Sequence, residues 1–535
     1  MKPIIRVENL SKQYTIESLQ EQPIEIPSTA GMTTKVVKGS LWTLAGQVLP
    51  MAASLVTAPF IIRLLGAESY GVLILVGLIP NYFSFADFGM GMASTRFASE
   101  AYGRGDSKAE AEAVRTSTLI AFLTSTLIAL PILLFAGTII SELNVPDGLK
   151  ATATLALRFT SLTFVAGILS NVLNTPQLSR LRMDLNALIN ALTKVTATAG
   201  TAVVLYLGSS IAGAAAYLFV VNAIGLIAHI FVSGSLLKHL YGFTIDRSLV
   251  RPLLKFGTGL TISGLAAIFL INLEKLLVTK LISVESLAYY SIAFTFANMA
   301  TMFSWSMVQS LIPAFSQLLT PDKKDQFNAL FSRTIKLSVI WLLPSLMVLF
   351  VVAKPFFSIW AGPDFGRESP LPFYILLAGL LFNIIAYVPY SSLVASGRTD
   401  LVAKIHWAEL APYLIVAVVL IRYFGIAGAA MAWSVRVIFD AALFLVLTRK
   451  FVGVSLGVRQ IAWAALAGLF VLVPSMVIAL YNNYSWLLAV SLPLSLTVYL
   501  FVVWRYFVTT EERHWFAGRI PSPFRRLAIF NSLTR

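Results

Sequence analysis

Apolar stretches of bilayer-crossing length recur along almost the whole chain, separated by short polar connections rich in Lys and Arg. Fourteen such stretches are predicted, at 40–62, 70–95, 116–140, 155–177, 184–207, 211–236, 256–282, 286–312, 337–353, 371–395, 402–421, 426–448, 461–481 and 485–504. Each has the length a helix needs to cross a hydrocarbon core, about 17–25 residues. None shows the period-two alternation of a barrel strand. Backbone amides in lipid must be satisfied within their own segment, so the runs predict helices. The expected fold class is an all-α polytopic membrane protein of about 14 transmembrane helices.

The pattern also repeats. "AVVLYLGSSIAGAA" (Ala202 to Ala215) and "AVVLIRYFGIAGAA" (Ala417 to Ala430) share both ends at an offset of 215. "RLLGAESYGVLILVGLIPN" (Arg63 to Asn81) and "KLISVESLAYYSIAFTFAN" (Lys280 to Asn298) echo each other at 217. Small residues favour close helix packing and can converge, but both echoes fall at matching places in the helix count. A duplicated six-helix unit accounts for that. Six is even, so the halves insert in the same orientation and form parallel repeats, an arrangement used by transporters. The expected architecture is two six-helix lobes around a central cavity plus an extra C-terminal helix pair. Its parts are a cytoplasmic leader 1–35, an N-lobe 36–240, a basic linker 241–255, a C-lobe 256–450, an extra pair 451–508 and a basic cytoplasmic tail 509–535.

Composition agrees with a membrane solvent. The 535 residues are 57% hydrophobic and 12% charged, with mean hydropathy +0.80; soluble domains carry about 25% charged residues. There is no cysteine, which removes disulfides and thiolate chemistry from consideration. The net charge of +15 is spread over many short loops, so it reads as a topology signal rather than a nucleic-acid surface. With the N-terminus placed inside, inside segments hold 30 of the 40 Lys and Arg, outside loops hold 6, and 4 fall within spans. The expected topology is N-in and C-in.

The lead "KVVKGSLWTLAGQVL", the turn "RLLGAESYGV", the "ADFGMGMASTRF" that closes the second span and the GIAGAA that opens the twelfth together resemble the polysaccharide flippases. That family belongs to the superfamily of multidrug, oligosaccharidyl-lipid and polysaccharide exporters. The resemblance covers roughly 33–450. It implies two lobes in a V and export of undecaprenyl-diphosphate-linked oligosaccharide across a bacterial inner membrane by alternating access. In similar fourteen-helix flippases the extra pair forms a groove for the lipid tail. Where the family's seventh span often carries Asp, this chain has Glu274 in "NLEKLLVTKL". Residues 4–14, "IIRVENLSKQY", look like the first strand of an ABC-type ATPase, yet no GxxxxGK[ST] phosphate loop follows. Residues 1–31 therefore read as a remnant or an over-long start, with no signal peptide.

Ionisable residues inside a bilayer are costly unless they face water or a partner. Lys194 and Arg436 fall near mid-span and are the strongest candidates to hold a diphosphate. Arg158 and Lys275 lie nearer the outer ends, where they can also snorkel. Glu274, Asp87, Asp440 and Glu409 are the candidate ion-coupling acids, with H+ or Na+ the coupling ion and no other cofactor or metal. For each there is a structural alternative. Asp440 follows Arg436 by four residues and can pair with it on one helix face; Asp87 can cap the helix after Gly89. Glu274 and Lys275 put adjacent charges on different sides of one helix. Glu409 matches Lys194 at offset 215, which would let opposite charges face each other across a cavity. Asn171, Asn174, Asn190, Asn272 and Asn298 can bond sugars or neighbouring helices.

The expected partners are lipid-linked oligosaccharide, membrane lipids, and a polysaccharide polymerase with its chain-length machinery; no nucleic acid is expected. The alternative in the same fold is a multidrug/cation antiporter, disfavoured by four buried cations. A membrane glycan polymerase or ligase is a further alternative. Such enzymes use a long outer loop, and the longest here, 354–370, is too short.

Overall fold

A computed structural model describes residues 29–508, apart from 243–244, 300, 302–310, 313, 317, 320, 455–469, 472 and 480–484. The ATPase-like stretch, most of the thirteenth predicted span and the basic tail lie outside the described residues.

Everything regular among the described residues is helical. The principal helices are α1 (Thr29–Asn81), α2 (Met90–Gly103), α3 (Ser107–Leu134), α4 (Asp147–Leu173), α5 (Met183–Tyr206) and α6 (Ile211–Leu236) in the first half. The second half contributes α7 (Arg247–Leu281), α8 (Val284–Met299), α9 (Lys324–Trp360), α10 (Pro370–Ala395) and α11 (Thr399–Val452), followed by α12 (Ser485–Val502). Two helices each hold two predicted spans. Gly66 (φ 73) breaks α1 and Gly425 (φ 60) breaks α11. Glycine adopts these backbone angles without the Cβ clash that other residues meet. Among the described residues, nine helical stretches are long and apolar enough to cross a membrane. This is a multi-pass membrane protein.

The two halves pair their helices alike. In the first half α1 packs on α5, α3 on α4, and α4 on α6; in the second α7 packs on α11, α9 on α10, and α10 on α11. A hydrogen bond shows the correspondence at atomic scale. Ser233 Oγ on α6 donates to the Leu173 carbonyl of α4 at 2.6 Å. Thr448 Oγ1 on α11, 215 residues further on, donates to the Pro389 carbonyl of α10 at 3.3 Å.

The second predicted span is interrupted. After α1 ends, Ser84–Asp87 form a 3-10 turn, and Phe88 (φ 46) and Gly89 (φ 68) take left-handed angles before α2 begins. The Gly89 backbone then meets that of Gly257 on α7, where a Cβ on Gly89 would sit 2.8 Å from the Gly257 carbonyl oxygen. A side chain at either position would push the halves apart. That contact, with Arg96 stacked 4.5 Å from the Phe256 ring centroid, lies toward the basic face.

The halves also meet at the opposite face. A Cβ on Gly71 would strike the Val284 carbonyl. Asn144 Nδ2 donates to the Lys280 carbonyl at 2.8 Å, and Trp360 Nε1 donates to the Leu55 carbonyl at 3.0 Å. The far face is closed by backbone-level contact.

Candidate functional site

Beneath that closure, between the halves, is a cavity of about 340 Å³. The parts of α1, α7 and α8 nearest the far face line it, with Trp360 from the end of α9. Among the described residues Lys275 is its one charged lining residue, accompanied by Asn81, Asn272 and Thr295. Lys275 Nζ donates to Asn272 Oδ1 at 2.9 Å and stands 4.3 Å from the Phe294 ring centroid. Tyr82 crosses from the first half to bond the Asn272 carbonyl. The ammonium is therefore held inside the cavity by a neutral oxygen and a ring face. It does not snorkel, and it makes no ion pair within 4 Å among the described residues, although the Glu274 carboxylate is within electrostatic reach.

Glu274, one residue earlier, points the other way. It is 0% exposed and accepts from Tyr413 Oη at 2.9 Å and from Tyr290 Oη at 3.3 Å. Arg436 stacks its guanidinium 5.4 Å from the Tyr413 ring centroid, and its Nη1 lies 3.7 Å from Glu409 Oε2. Asp440 and His406 complete the group, within electrostatic reach of Glu409 and Arg436. The result is a file of polar groups through the second half, from His406 and Asp440 by way of Glu409, Arg436 and Tyr413 to Glu274. Asp440 Oδ1 and both Glu409 oxygens are buried without a hydrogen bond among the described residues.

Two expectations change here. The geometric ion pair of Arg436 is with Glu409 rather than with Asp440. The hairpin in α11 brings a carboxylate from the facing segment closer than the one on Arg436's own segment. Nor do Glu409 and Lys194 face each other. Glu409 and Arg436 lie at the base of an apolar groove of about 690 Å³ between the two segments of α11, with Pro412, Val416, Phe439 and Leu443 in its walls.

Lys194 instead lines a separate cavity of about 430 Å³ inside the first half, bounded by α1, α4, α5 and α6. Asn171, Asn174, Asn186, Asn190 and Asn222 share that lining. Lys194 is exposed rather than buried as expected, and it has no ion pair among the described residues. Arg158 is exposed on α4 and touches neither cavity. Asp87 Oδ1 accepts the Gly89 N–H at 2.9 Å and so stabilises the break before α2. Asn298 bonds back to its own helix at the Phe294 carbonyl.

A family model described as a polysaccharide biosynthesis protein matches residues 36–319, more than half of the chain. The chain belongs to that family. A second model, MatE, matches 265–420. A putative O-antigen transporter of Shigella flexneri is 22% identical over 408 residues, 76% of this chain and 96% of that protein. A probable low-salt glycan biosynthesis flippase of Haloferax volcanii is 23% identical over 220 residues, 41% of this chain and 46% of its own length. Among solved structures, the fold is similar to the lipid II flippase MurJ in an inward closed conformation. That match has TM-score 0.68 at 16% identity, covering 88% of this chain and 99% of that one. A Vibrio cholerae MATE transporter mutant matches at TM-score 0.56 and 18% identity, covering 79% and 97%.

In this member of the polysaccharide biosynthesis family, sequence reasoning missed two features. The first is Tyr413, whose only signal was its place seven residues after His406 and four after Glu409, on their helix face. The second is the ion pair of Glu110, 0% exposed, with Arg180 at 2.5 Å near the basic face. Ser179 donates to the same carboxylate at 2.9 Å, and Tyr102 lies under the guanidinium at 4.7 Å. Its partners, in the first turn of α3 and in the connection after α4, lie 70 residues apart, a separation at which no helical period applies.

Proposed function

We propose that the protein is a flippase, not an enzyme, that moves undecaprenyl-diphosphate-linked oligosaccharide across a bacterial inner membrane by alternating access. The observation that carries this reading is the cavity between the halves, beside their contact at the far face, whose one charged lining residue among the described residues is Lys275, held by Asn272 and an aromatic face rather than by an ion pair. Fixed positive charge beside amide and hydroxyl groups suits a diphosphate. Both termini are cytoplasmic in this reading, as the Lys and Arg distribution requires, so the cavity loads from the basic face after the Gly89–Gly257 contact parts.

The file from Glu274 to Asp440 supplies ion coupling. Its acids outnumber its bound cation, so uptake of H+ or Na+ there changes the cost of keeping the halves packed, and that resets the transporter. Asp87 acts as a helix cap and Arg158 as a surface anchor. Arg436 orders the coupling file rather than touching the substrate. The MatE match over 265–420 favours a cation antiporter as the second reading, but a cationic drug would meet Lys275 in the cavity.

The test is flipping of fluorescent lipid-linked oligosaccharide in proteoliposomes. Wild type moves it and Lys275→Ala does not, while neither moves a cationic dye. Dye transport without lipid flipping would reverse the two readings.

A further inference from the structure

The cavity of the first half contains an acceptor that a diphosphate cannot use. Asn186 Oδ1 accepts from Asn190 Nδ2 at 2.8 Å and from Asn174 Nδ2 at 3.2 Å. Asn174 is 6% exposed, lines the cavity, and its Oδ1 has no hydrogen-bond partner among the described residues. Turning the Asn174 amide over would set its oxygen against an oxygen that already accepts, so the orientation is fixed by its neighbours. A buried acceptor left unpaired costs about 1–3 kcal/mol, which a ligand that donates would recover.

The opposite wall supplies a donor. His229 is 1% exposed and lines the same cavity. Its Nδ1 is 3.1 Å from Gln177 Nε2, and Gln177 Nε2 is 3.2 Å from Ser233 Oγ. Ser233 has already given its single hydrogen to the Leu173 carbonyl, so it can only accept. Gln177 must therefore present its NH2 group to both neighbours. His229 Nδ1 then accepts, which leaves a neutral ring carrying its proton on Nε2. Lys194 adds further donors from α5.

We infer that this amide-lined cavity is a saccharide subsite, which holds the neutral glycan of the substrate while its diphosphate occupies the central cavity. The inference rests on the flippase reading above. Sugar hydroxyls both donate and accept, so a saccharide suits a lining that mixes amide oxygens and nitrogens with the His229 and Lys194 donors. An ionised diphosphate only accepts and leaves Asn174 unpaired. A bare cation would satisfy Asn174 but is repelled by Lys194. The volume of about 430 Å³ is within the range of small-ligand pockets, about 300–1,000 Å³. The Asn174–Asn186–Asn190 chain fixes the lining before a ligand arrives, which lowers the ordering cost of recognition.

The absence of cysteine makes a direct test available. Gly167 lines the cavity, and a Cβ there meets nothing within 4 Å. Gly167→Cys therefore installs a unique thiol without displacing a neighbour. The full-length variant in nanodiscs is labelled with a small thiol reagent in the presence of four probes. These are the lipid-linked saccharide pool of the source cells, the free saccharide released from that pool by mild acid, inorganic pyrophosphate, and sodium ion. Free saccharide at ten times its Kd is expected to slow labelling about tenfold, whereas pyrophosphate and sodium leave the rate unchanged. Asn174→Leu and Asn222→Leu, each added to Gly167→Cys, weaken that protection while the unliganded labelling rate and melting temperature persist. Asn222 bonds back to its own helix at the Leu218 carbonyl, so its removal leaves the packing intact even if Asn174→Leu misfolds.

Equal protection by pyrophosphate or by sodium overturns the inference. So does a free saccharide that gives no protection while the intact pool is still flipped in proteoliposomes. If the pool is not flipped at all, the flippase reading falls and this inference with it.

Discussion

Position 194 in the first half and position 409 in the second are the same place in a duplicated helix pattern, and they carry opposite charges. Around Lys194 the first half keeps an open cavity of amides, with no ion pair to the ammonium among the described residues. Around Glu409 the second half gathers Arg436, Tyr413, Asp440 and Glu274 at the base of an apolar groove. The scaffold is shared down to the matched hydrogen bonds of Ser233 and Thr448, yet the first half opens on amides around an ammonium, and the second opens on an apolar groove with a charge pair at its base. A lone cation stays solvated only beside a wet space, whereas the buried Glu409 carboxylate is offset by the Arg436 charge 3.7 Å away. In the proposed reading, the cavity of the first half holds saccharide, Lys275 meets the diphosphate between the halves, and the Glu409 file serves coupling.

Substitutions at matched places separate these roles. Arg436→Ala has the largest expected effect, because it strands Glu409, and breaking a buried pair costs about 3–5 kcal/mol. Melting in detergent should fall and transport should vanish. Arg436→Met with Glu409→Leu should recover the melting temperature without recovering transport. Recovery of transport as well would remove the file from the coupling mechanism.

Glu110→Ala is the corresponding break near the basic face of the first half. It leaves Arg180 without its carboxylate and should cost about 3 kcal/mol by the same rule. Its effect should appear in melting and expression, with the flipping rate per folded molecule unchanged. A rate lost ahead of stability would give the clamp a part in transport.

Lys194→Ala should reverse that signature. It has no ion pair to lose, so stability should shift by less than about 0.5 kcal/mol, while flipping is lost. Lys194→Arg should keep part of the activity, since charge remains but donor geometry changes. A large drop in melting temperature would mean that Lys194 is structural.

The hairpin turns offer a milder pair. Gly425 holds a left-handed angle where the first half has Ser210, whose Oγ accepts the Gly213 N–H at 3.4 Å. Gly425→Ala should cost about 1–2 kcal/mol from Cβ crowding, and Ser210→Ala about 1 kcal/mol from the lost cap. Smallest of all, Ser233→Ala and Thr448→Val should each cost about 0.6 kcal/mol, the usual size of an interhelical hydrogen bond in a membrane. Ser233→Ala carries an added effect if Gln177 and His229 depend on it: saccharide protection of Gly167→Cys should weaken, whereas Thr448→Val should leave it unchanged.

The helices were legible in the sequence because a bilayer imposes a length and a composition on anything that crosses it. The duplication was legible because small-residue helix starts, such as IAGAA, tolerate few alternatives at close packing. Lys194 and Lys275 stood out as charges in apolar runs, and both reach cavities. The neighbours of those charges were not legible. The expected Arg436–Asp440 pair followed from helical spacing, which describes one segment and is blind to the facing one.

By itself, then, the sequence determined that the chain is a duplicated bundle of membrane helices and which charges must find an accommodation. Those consequences follow from solvent and from periodicity, both local along the chain. Only the tertiary structure decided what each charge meets: Glu409 for Arg436, Asn272 and an aromatic face for Lys275, and an amide-lined cavity for Lys194. Those partners are separated by tens of residues or more except within one helix turn, and side-chain electrostatics acts over a few ångströms of space, whatever the distance along the chain.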